Sequence, residues 1–207
     1  MIPLGVLSSG ALATGLEHAL TLTAPRSVAA IATVAFSGTH ALPEGSVYAL
    51  VAVRGAVGPE IDIAGAEVGG QALTPLWAGK GGSNSFTLFE GASVGSGTVN
   101  VQLEGALSVF GAGVTFWTGP PGLTVTDSAL ATGTGLATVT TSAHAVAGAW
   151  ALVSGATIHG VPVDARQDME PGRSWAAGHT DAPGEVRVSS SGPPPHSSTA
   201  ALALERP

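Results

Sequence analysis

Two stretches of this chain repeat one another: Ala32-Thr33-Val34, His40-Ala41-Leu42 and Tyr48-Ala49-Leu50-Val51 recur as Ala137-Thr138-Val139, His144-Ala145-Val146 and Trp150-Ala151-Leu152-Val153. Each copy contains an apolar, β-rich run, a short polar or glycine-containing turn and a second apolar run that begins with an aromatic residue. This is the pattern of a β-hairpin. Because an isolated hairpin is only marginally stable in water, we expect the two copies to supply opposing parts of one sheet pair.

Strand-like runs fill most of the remaining sequence. The clearest alternation predicts that Val99, Val101 and Leu103 face the core while Asn100 and Gln102 face water. No window of helical length keeps an apolar stripe at helical spacing, so we expect very little helix. The runs that we interpret as strands are residues 20–23, 28–36, 46–53, 73–77, 85–90, 98–103, 107–117, 123–127, 136–141, 150–154, 174–177, 185–188 and 199–204.

Glycine and proline mark the breaks between these strands. Gly111 and Gly113 interrupt one long strand and indicate a bulge or a close approach of the backbone. Residues 79–84 are rich in glycine and predict a tight turn. Residues 189–198 contain three consecutive prolines, which cannot join a ladder, and therefore predict an exposed loop.

The chain divides into two unequal parts. Residues 1–18 show no clear period, and we interpret them as an extended N-terminal arm that packs on a neighbour, with a frayed terminus as the alternative. Residues 19–207 are predicted to form one all-β domain, an antiparallel β-sandwich with pseudo-repeated halves.

The composition limits the possible partners. Charged residues make up only 10% of the 207 residues, against about a quarter in ordinary soluble proteins. We therefore expect another subunit to cover part of the surface, as in a homo-oligomer. The net charge is −7 and the seven basic residues are scattered, which argues against nucleic-acid binding because phosphate contacts need clustered cations.

The sequence also argues against secretion and membrane insertion. It contains no cysteine, so disulfides and thiolate metal sites are excluded. The apolar N-terminus lacks the basic region of a signal peptide, and no run reaches the roughly 18 apolar residues of a membrane helix. We expect assembly in the cytoplasm.

One motif has the form of a catalytic nucleophile. Gly91-Ala92-Ser93-Val94-Gly95 matches the G-x-S-x-G pattern, which requires the serine on a turn between a strand and a helix. A further strand follows instead, so we interpret the motif as a hairpin turn. A serine hydrolase remains a distant alternative that loss of activity in Ser93→Ala would support.

Acidic residues and histidines give no clear metal site. Asp164, Asp168, Glu170 and Asp181 would suit Ca²⁺, but they lack the spacing of a known loop, so we expect a solvated polar loop paired with nearby arginines. The histidines are dispersed, without an i, i+4 pair. His40 and His144 occupy matching places in the repeat, which suggests a shared role in the turn. We predict no catalytic residue, no cofactor and no metal.

The aromatic residues offer one possible binding surface. Alternation places Tyr48, Phe116 and Trp150 inside the core. Trp77 and Trp175 have glycine-rich or polar neighbours, so they are the better candidates for exposed rings that stack on a sugar.

The middle of the chain resembles a known family. Val68-Gly69-Gly70-Gln71-Ala72-Leu73-Thr74, Phe86-Thr87-Leu88-Phe89-Glu90 and Gly97-Thr98-Val99-Asn100-Val101 follow a recurrent pattern of that family. The pattern is that of the jelly-roll, lectin-like β-sandwich accessory proteins of tailed-phage and gene-transfer-agent particles. The resemblance implies a jelly-roll-like sandwich and a virion role, such as head decoration or a spike base, and carries no catalytic residue.

These observations together favour a non-enzymatic virion structural protein. We expect the arm and one apolar edge to dock on the major capsid protein or another virion subunit, with loops 79–84 and 189–198 pointing outward. The alternative is a carbohydrate-binding module or adhesin that recognises a host-surface glycan through Trp77 or Trp175.

Overall fold

Antiparallel β-strands make up nearly all of the described chain. The computed structural model describes residues 14–43, 45–55, 61–82, 84–92, 96–151, 158–169, 172–190 and 197–207, and it has no helix in these ranges. The strands of the N-terminal half are β1 (Glu17–Ala24), β2 (Ser27–Ala41), β3 (Ser46–Gly55), β4 (Ile63–Val68), β5 (Gln71–Ala72), β6 (Thr74–Gly81), β7 (Asn84–Ala92) and β8 (Ser96–Gly119). The strands of the C-terminal half are β9 (Thr124–Thr132), β10 (Ala137–Thr141), β11 (His144–Ala151), β12 (Ile158–His159), β13 (Val163–Met169), β14 (Arg173–Thr180), β15 (Gly184–Ser190) and β16 (Ser197–Glu205).

The 24-residue strand β8 joins the two layers of the N-terminal half. Its first part pairs with β2 and β4, and its second part pairs with β1 and β3. The outer layer has the order β2-β8-β4-β5, and the inner layer has the order β1-β8-β3-β7-β6. Apolar side chains of both layers, among them Val34, Val101, Val51 and Phe116, form one buried cluster, so this half is a sandwich.

The C-terminal half repeats this arrangement. Its inner sheet has the order β9-β16-β11-β14-β13, and its outer sheet has the order β10-β15-β12. If β4 and β5 are counted as one strand, and the two parts of β8 as the seventh and eighth strands of their half, the inner order is 1-8-3-6-5 and the outer order is 2-7-4 in both halves. These orders resemble the two-sheet order of a jelly roll. The predicted all-β, jelly-roll-like antiparallel sandwich is therefore confirmed.

The two halves stack through their inner sheets, which gives four layers with three apolar interfaces. The central interface contains Leu50, Phe86, Trp150, Trp175 and Leu202, contributed by both halves. A third cluster fills the C-terminal sandwich. Because both inner sheets are covered on both faces, β3, β11 and β16 are buried along nearly their whole length.

The repeated stretch crosses between layers and does not form a hairpin. In the N-terminal half β2 pairs with β8, whereas β3 pairs with β7 and β8. In the C-terminal half β10 pairs with β15, whereas β11 pairs with β14 and β16. The predicted hairpins are wrong. The expectation that the copies face each other holds for β3 and β11, since Leu50 of β3 and Trp150 of β11 share the central cluster.

Other predictions about the core are confirmed. Val99, Val101 and Leu103 are buried, and Asn100 and Gln102 are partly exposed. Tyr48, Phe116 and Trp150 are likewise fully buried.

Two boundaries differ from expectation. Strand β1 begins at Glu17 and Leu16 is buried, so the fold begins before residue 19, where the sequence analysis placed its start. Residues 1–13 of the predicted arm lie outside the described residues. The bases of both loops predicted to point outward are buried: Asn84, Ser197 and Ser198 are each 0% exposed, while residues 83 and 191–196 also lie outside the described part.

Candidate functional site

The Trp175 ring lies in the central interface, where it is 0% exposed. Its indole nitrogen donates a hydrogen bond to Thr115 Oγ1 over 2.9 Å. The ring contacts the backbone of Gly113 in one half and of Gly148 in the other, where any Cβ atom would clash with it. The prediction that Trp175 is exposed is therefore wrong, and its ring is not accessible to a sugar.

Trp77 is half-buried at a seam between the two halves. Its ring lies across Gly79 of the same strand and packs against the central cluster, and Leu130 of β9 approaches the same glycine. Part of the ring remains accessible, so its role in glycan stacking stays a prediction.

The serine motif lies between two strands. Strand β7 ends at Ala92 and β8 begins at Ser96. The motif is followed by a strand, whereas a nucleophile elbow leads into a helix. Ser93 itself lies outside the described residues.

The acidic residues proposed for Ca²⁺ separate to different partners. Asp164 and Asp168 lie in strand β13, so the expectation of a loop is wrong. Asp164 bonds to His179, Asp168 lies 3.4 Å from Arg166, and Asp181 bonds to His144. Glu170 lies outside the described part. Across the described ranges no three acidic or histidine side chains are placed to hold a metal.

His40 and His144, which occupy matching places in the repeat, make different hydrogen-bond contacts. His40 Nε2 lies 3.0 Å from the carbonyl oxygen of Ser37 in the same strand. His144 Nδ1 lies 2.7 Å from Asp181 Oδ1, across the C-terminal inner sheet. The suggested shared role in the turn is therefore wrong.

The best-defined polar cluster joins the halves where the N-terminal segment enters the fold. We call this the arm-end clasp; it consists of Leu16, Trp117, His144, Asp164, His179 and Asp181. Strand β1 runs along β13 here, which places the edge of one half against the edge of the other. Trp117 Nε1 donates to Asp164 Oδ2 over 2.7 Å, and His179 Nδ1 lies 2.7 Å from the same oxygen.

The clasp fixes the backbone of Leu16. The Leu16 amide donates to Asp181 Oδ1 over 3.2 Å, and the Leu16 backbone makes the smallest contribution to the raised pKa of His179. Asp181 also lies against Gly15, where a Cβ atom would clash with its carboxylate. The C-terminal half therefore fixes the backbone at Gly15 and Leu16.

Electrostatics support this contact. The hydrogen bond that the His179 ring donates to Asp164 raises the pKa of His179 above its ordinary value, against the opposing effect of burial, and the charges of Asp164 and Asp181 act in the same direction as the hydrogen bond. The Nδ1 atom of His179 is bonded to Asp164, so this pair is part of the contact that holds the clasp together.

A second polar network holds the connection between the halves at the same end. The Tyr48 hydroxyl donates to the Pro120 carbonyl over 2.6 Å and accepts from the Leu123 amide over 3.0 Å. Glu90 lies 3.1 Å from this hydroxyl and accepts from the Gly122 amide over 2.9 Å. Burial, and to a lesser degree the charge of Glu90, raise the pKa of Tyr48 to about 12, so the hydroxyl stays protonated.

Three arginines converge at the opposite end, which we call the arginine end. Arg26, Arg54 and Arg173 lie 5.1, 5.9 and 5.4 Å from the centre of the Phe110 ring. Burial lowers the pKa of Arg54 and Arg173, and the charge of Arg26 lowers that of Arg173 further. Arg173 belongs to the C-terminal half, so this cluster also ties the halves together.

A small cavity of about 150 Å³ opens near the arginine end. It is lined by Asp62, Ile63, Ala78, Gly79, Lys80, Ser85, Phe86 and Thr87. Lys80 Nζ lies 2.7 Å from Asp62 Oδ1, and the Ser85 hydroxyl donates to the Ile61 carbonyl. Small-molecule sites usually enclose about 300–1,000 Å³, so this cavity suits only a very small polar ligand.

Sequence reasoning missed the clasp because its members are far apart in the chain. Asp164 and His179 lie on the paired strands β13 and β14, and the stacking of the two halves brings Trp117 of β8 against them.

Within the described ranges no helix is long and apolar enough to span a membrane. No protein-family model, curated protein or solved structure matches this chain.

Proposed function

We propose that this chain is a non-enzymatic structural protein of a phage-like particle, which it decorates or caps. In this proposal residues 1–13 and an apolar edge dock on the major capsid protein or another virion subunit. The protein would be made in the host cytoplasm and reside in the virion.

One observation carries the proposal: the clasp fixes the backbone at Leu16, close to the segment that we propose to dock. Asp181 holds the Leu16 amide from the other half of the molecule. A segment that leaves a rigid body at a fixed point can be presented to a partner at lower entropic cost than a loosely attached tail. The low proportion of charged residues, 10%, also suits a subunit that other subunits cover.

The polar side chains give further support. In the clasp and in the Tyr48 network, carboxylates, histidines and hydroxyls hold strands and backbone groups, as structural polar groups do when buried. A structural role for these polar side chains suits a protein that acts through its shape.

Removal of the segment tests the proposal. The deletion must stop at residue 13, because Leu16 is buried in the core and β1 begins at Glu17. Particles are purified from cells that make the full chain or the chain without residues 2–13, and the copies per particle are counted. We expect loss of incorporation with an unchanged circular dichroism spectrum; unchanged incorporation would contradict the docking role.

A carbohydrate-binding role is the second candidate. It rests on Trp77, whose half-buried ring is held in place by Gly79 and Leu130. Fixed aromatic rings suit stacking on sugars because little entropy is lost on binding. A glycan array compares the wild type with Trp77→Ala. A signal that the variant loses would favour this candidate, and the absence of any signal would remove it.

A further inference from the structure

Strand β2 forms an open edge of the outer layer. Within the described part of the chain it pairs on one side only, with β8. It spans 15 residues and contains no Asp, Glu, Lys or Arg. Natural sheets usually protect such edges with charges, prolines, bulges or short strands, because an open edge is a template for another strand. The pairing of β2 with β8 shifts register on both sides of residues 33–36, so these residues form the regular part of the edge.

The register shows which backbone groups point outward. The Gly69 amide donates to Thr98 O and the Glu104 amide donates to Asp62 O, each over 2.9 Å, so the even-numbered residues of β8 turn toward β4. The odd-numbered residues Val99 and Val101 therefore turn toward β2, opposite Phe36 and Val34. The amides and carbonyls of Thr33 and Ala35 then point to the open side.

The equivalent strand in the other half is protected. Strand β10 matches β2 in the repeat, with Thr138 in the place of Thr33, yet it has only five residues. Its outward amide at Thr140 donates to Asp127 Oδ2 over 2.9 Å. A carboxylate on this edge would be desolvated by any incoming strand. Among the described residues, the edge is therefore blocked in the C-terminal half and open in the N-terminal half.

We propose that the β2 edge pairs with the β2 edge of a second copy of this chain, antiparallel about a twofold axis. The outer layers of the two molecules would then form one continuous sheet. A twofold axis makes the same edge complementary to itself, since each residue pair occurs twice. The exposed side chains beside this edge are small, at Thr33, Ala35 and Ser37, so they leave room for the partner strand.

An uncharged edge is where a second copy can pair at least cost. Two molecules that each carry a net charge of −7 repel one another, so self-association is least opposed where no charged side chain is desolvated. Strand β2 is such an edge, since it contains no Asp, Glu, Lys or Arg. The pairing does not depend on what the N-terminal segment binds, and it is tested on the purified protein alone.

The repeat supplies a matched pair of variants. Proline removes an amide donor, and edge strands tolerate it where that amide points outward. Thr33→Pro removes an outward amide of β2, and Thr138→Pro removes the equivalent amide of β10. Sedimentation of the wild type should show a monomer–dimer equilibrium. We expect Thr33→Pro to weaken dimerisation by at least about tenfold, or about 1.4 kcal/mol, and Thr138→Pro to leave it unchanged.

Hydrogen exchange provides a readout that needs no variant. The amides of Thr33 and Ala35 should exchange faster as the wild-type protein is diluted, while the Thr138 amide should not change. A wild type that is monomeric at all concentrations, equal effects of the two prolines, or exchange at Thr33 and Ala35 that is independent of concentration would each overturn the proposal. If Thr33→Pro fails to fold, the exchange measurement decides.

Discussion

His179 couples a titratable side chain to the start of the fold. It is bonded to Asp164, and the Leu16 backbone adds the smallest contribution to its raised pKa. Asp181 adds negative charge nearby, and it is itself bonded to the buried His144. Protonation of His179 therefore strengthens its contacts within the clasp, chiefly the contact with Asp164.

The raised pKa of His179 predicts a pH-dependent stability. A histidine whose folded pKa exceeds its unfolded value of 6.5 stabilises the fold fully below that value, and this contribution is lost as the pH rises through the folded pKa. We expect the free energy of unfolding of the wild type to exceed that of His179→Gln by about 1.5–3 kcal/mol at mildly acidic pH. At alkaline pH this difference should be smaller. Urea unfolding at a series of pH values measures this.

His40→Gln is the matched control. The His40 ring contacts only Ser37 of its own strand among the contacts described for it, so its substitution should leave the pH profile close to that of the wild type. If the stability of the wild type and of His179→Gln changed with pH in the same way, the coupling of His179 protonation to stability would be contradicted.

At the scale of elements, the central interface has room for the Trp175 ring because the residue that faces it is glycine on each of two strands. Gly113 of β8 and Gly148 of β11 contact opposite parts of the Trp175 ring. The sequence marked Gly113 as a bulge or a close approach, and the close approach is confirmed. Leu50, which is 0% exposed, also lies against Gly148, so the ring has no space to move away.

Alanine at either glycine should therefore strain the interface. A Cβ atom at Gly113 would lie 2.5 Å from the Trp175 ring, and overpacking of this kind costs about 1–3 kcal/mol. Gly65→Ala is the control, since its Cβ would meet only the flexible end of Gln102, at 3.0 Å. Thermal unfolding compares the midpoint temperatures of Gly113→Ala, Gly148→Ala and Gly65→Ala. A loss of stability in Gly65→Ala equal to that of the other two would contradict this account.

The elements also show how far sequence reasoning reaches. Alternation identified the core residues of β8, because side chains on a strand follow a period of two. It could not identify the partner of β2, because a hairpin pattern fits any two neighbouring strands. Trp175 was misplaced for a related reason: polar Ser174 suggested an exposed strand, but β14 belongs to a layer covered on both faces, and Ser174 is itself 0% exposed.

At the scale of the whole molecule, the two jelly rolls depend on each other. Each inner sheet presents a second apolar face, which in the N-terminal half includes Leu50, Phe86 and Leu88. Either half alone would expose this face to water, at a cost of about 25 cal/mol per Å². Hydrogen bonds join the halves at both seams, through Gln167 to Thr21 O and through Asn84 to Ser198, each over 2.9 Å.

This dependence predicts a single unfolding transition. Trp117, Trp150 and Trp175 lie at the interface between the halves, so tryptophan fluorescence reports the interface, whereas far-UV circular dichroism reports the strands of both halves. If the shared core supplies much of the stability, loss of the interface unfolds both sandwiches, and the two signals coincide across a urea titration. A fluorescence transition that precedes the loss of β-structure would instead mean that each jelly roll stands alone, and that the arm-end clasp and the arginine end join two independent domains.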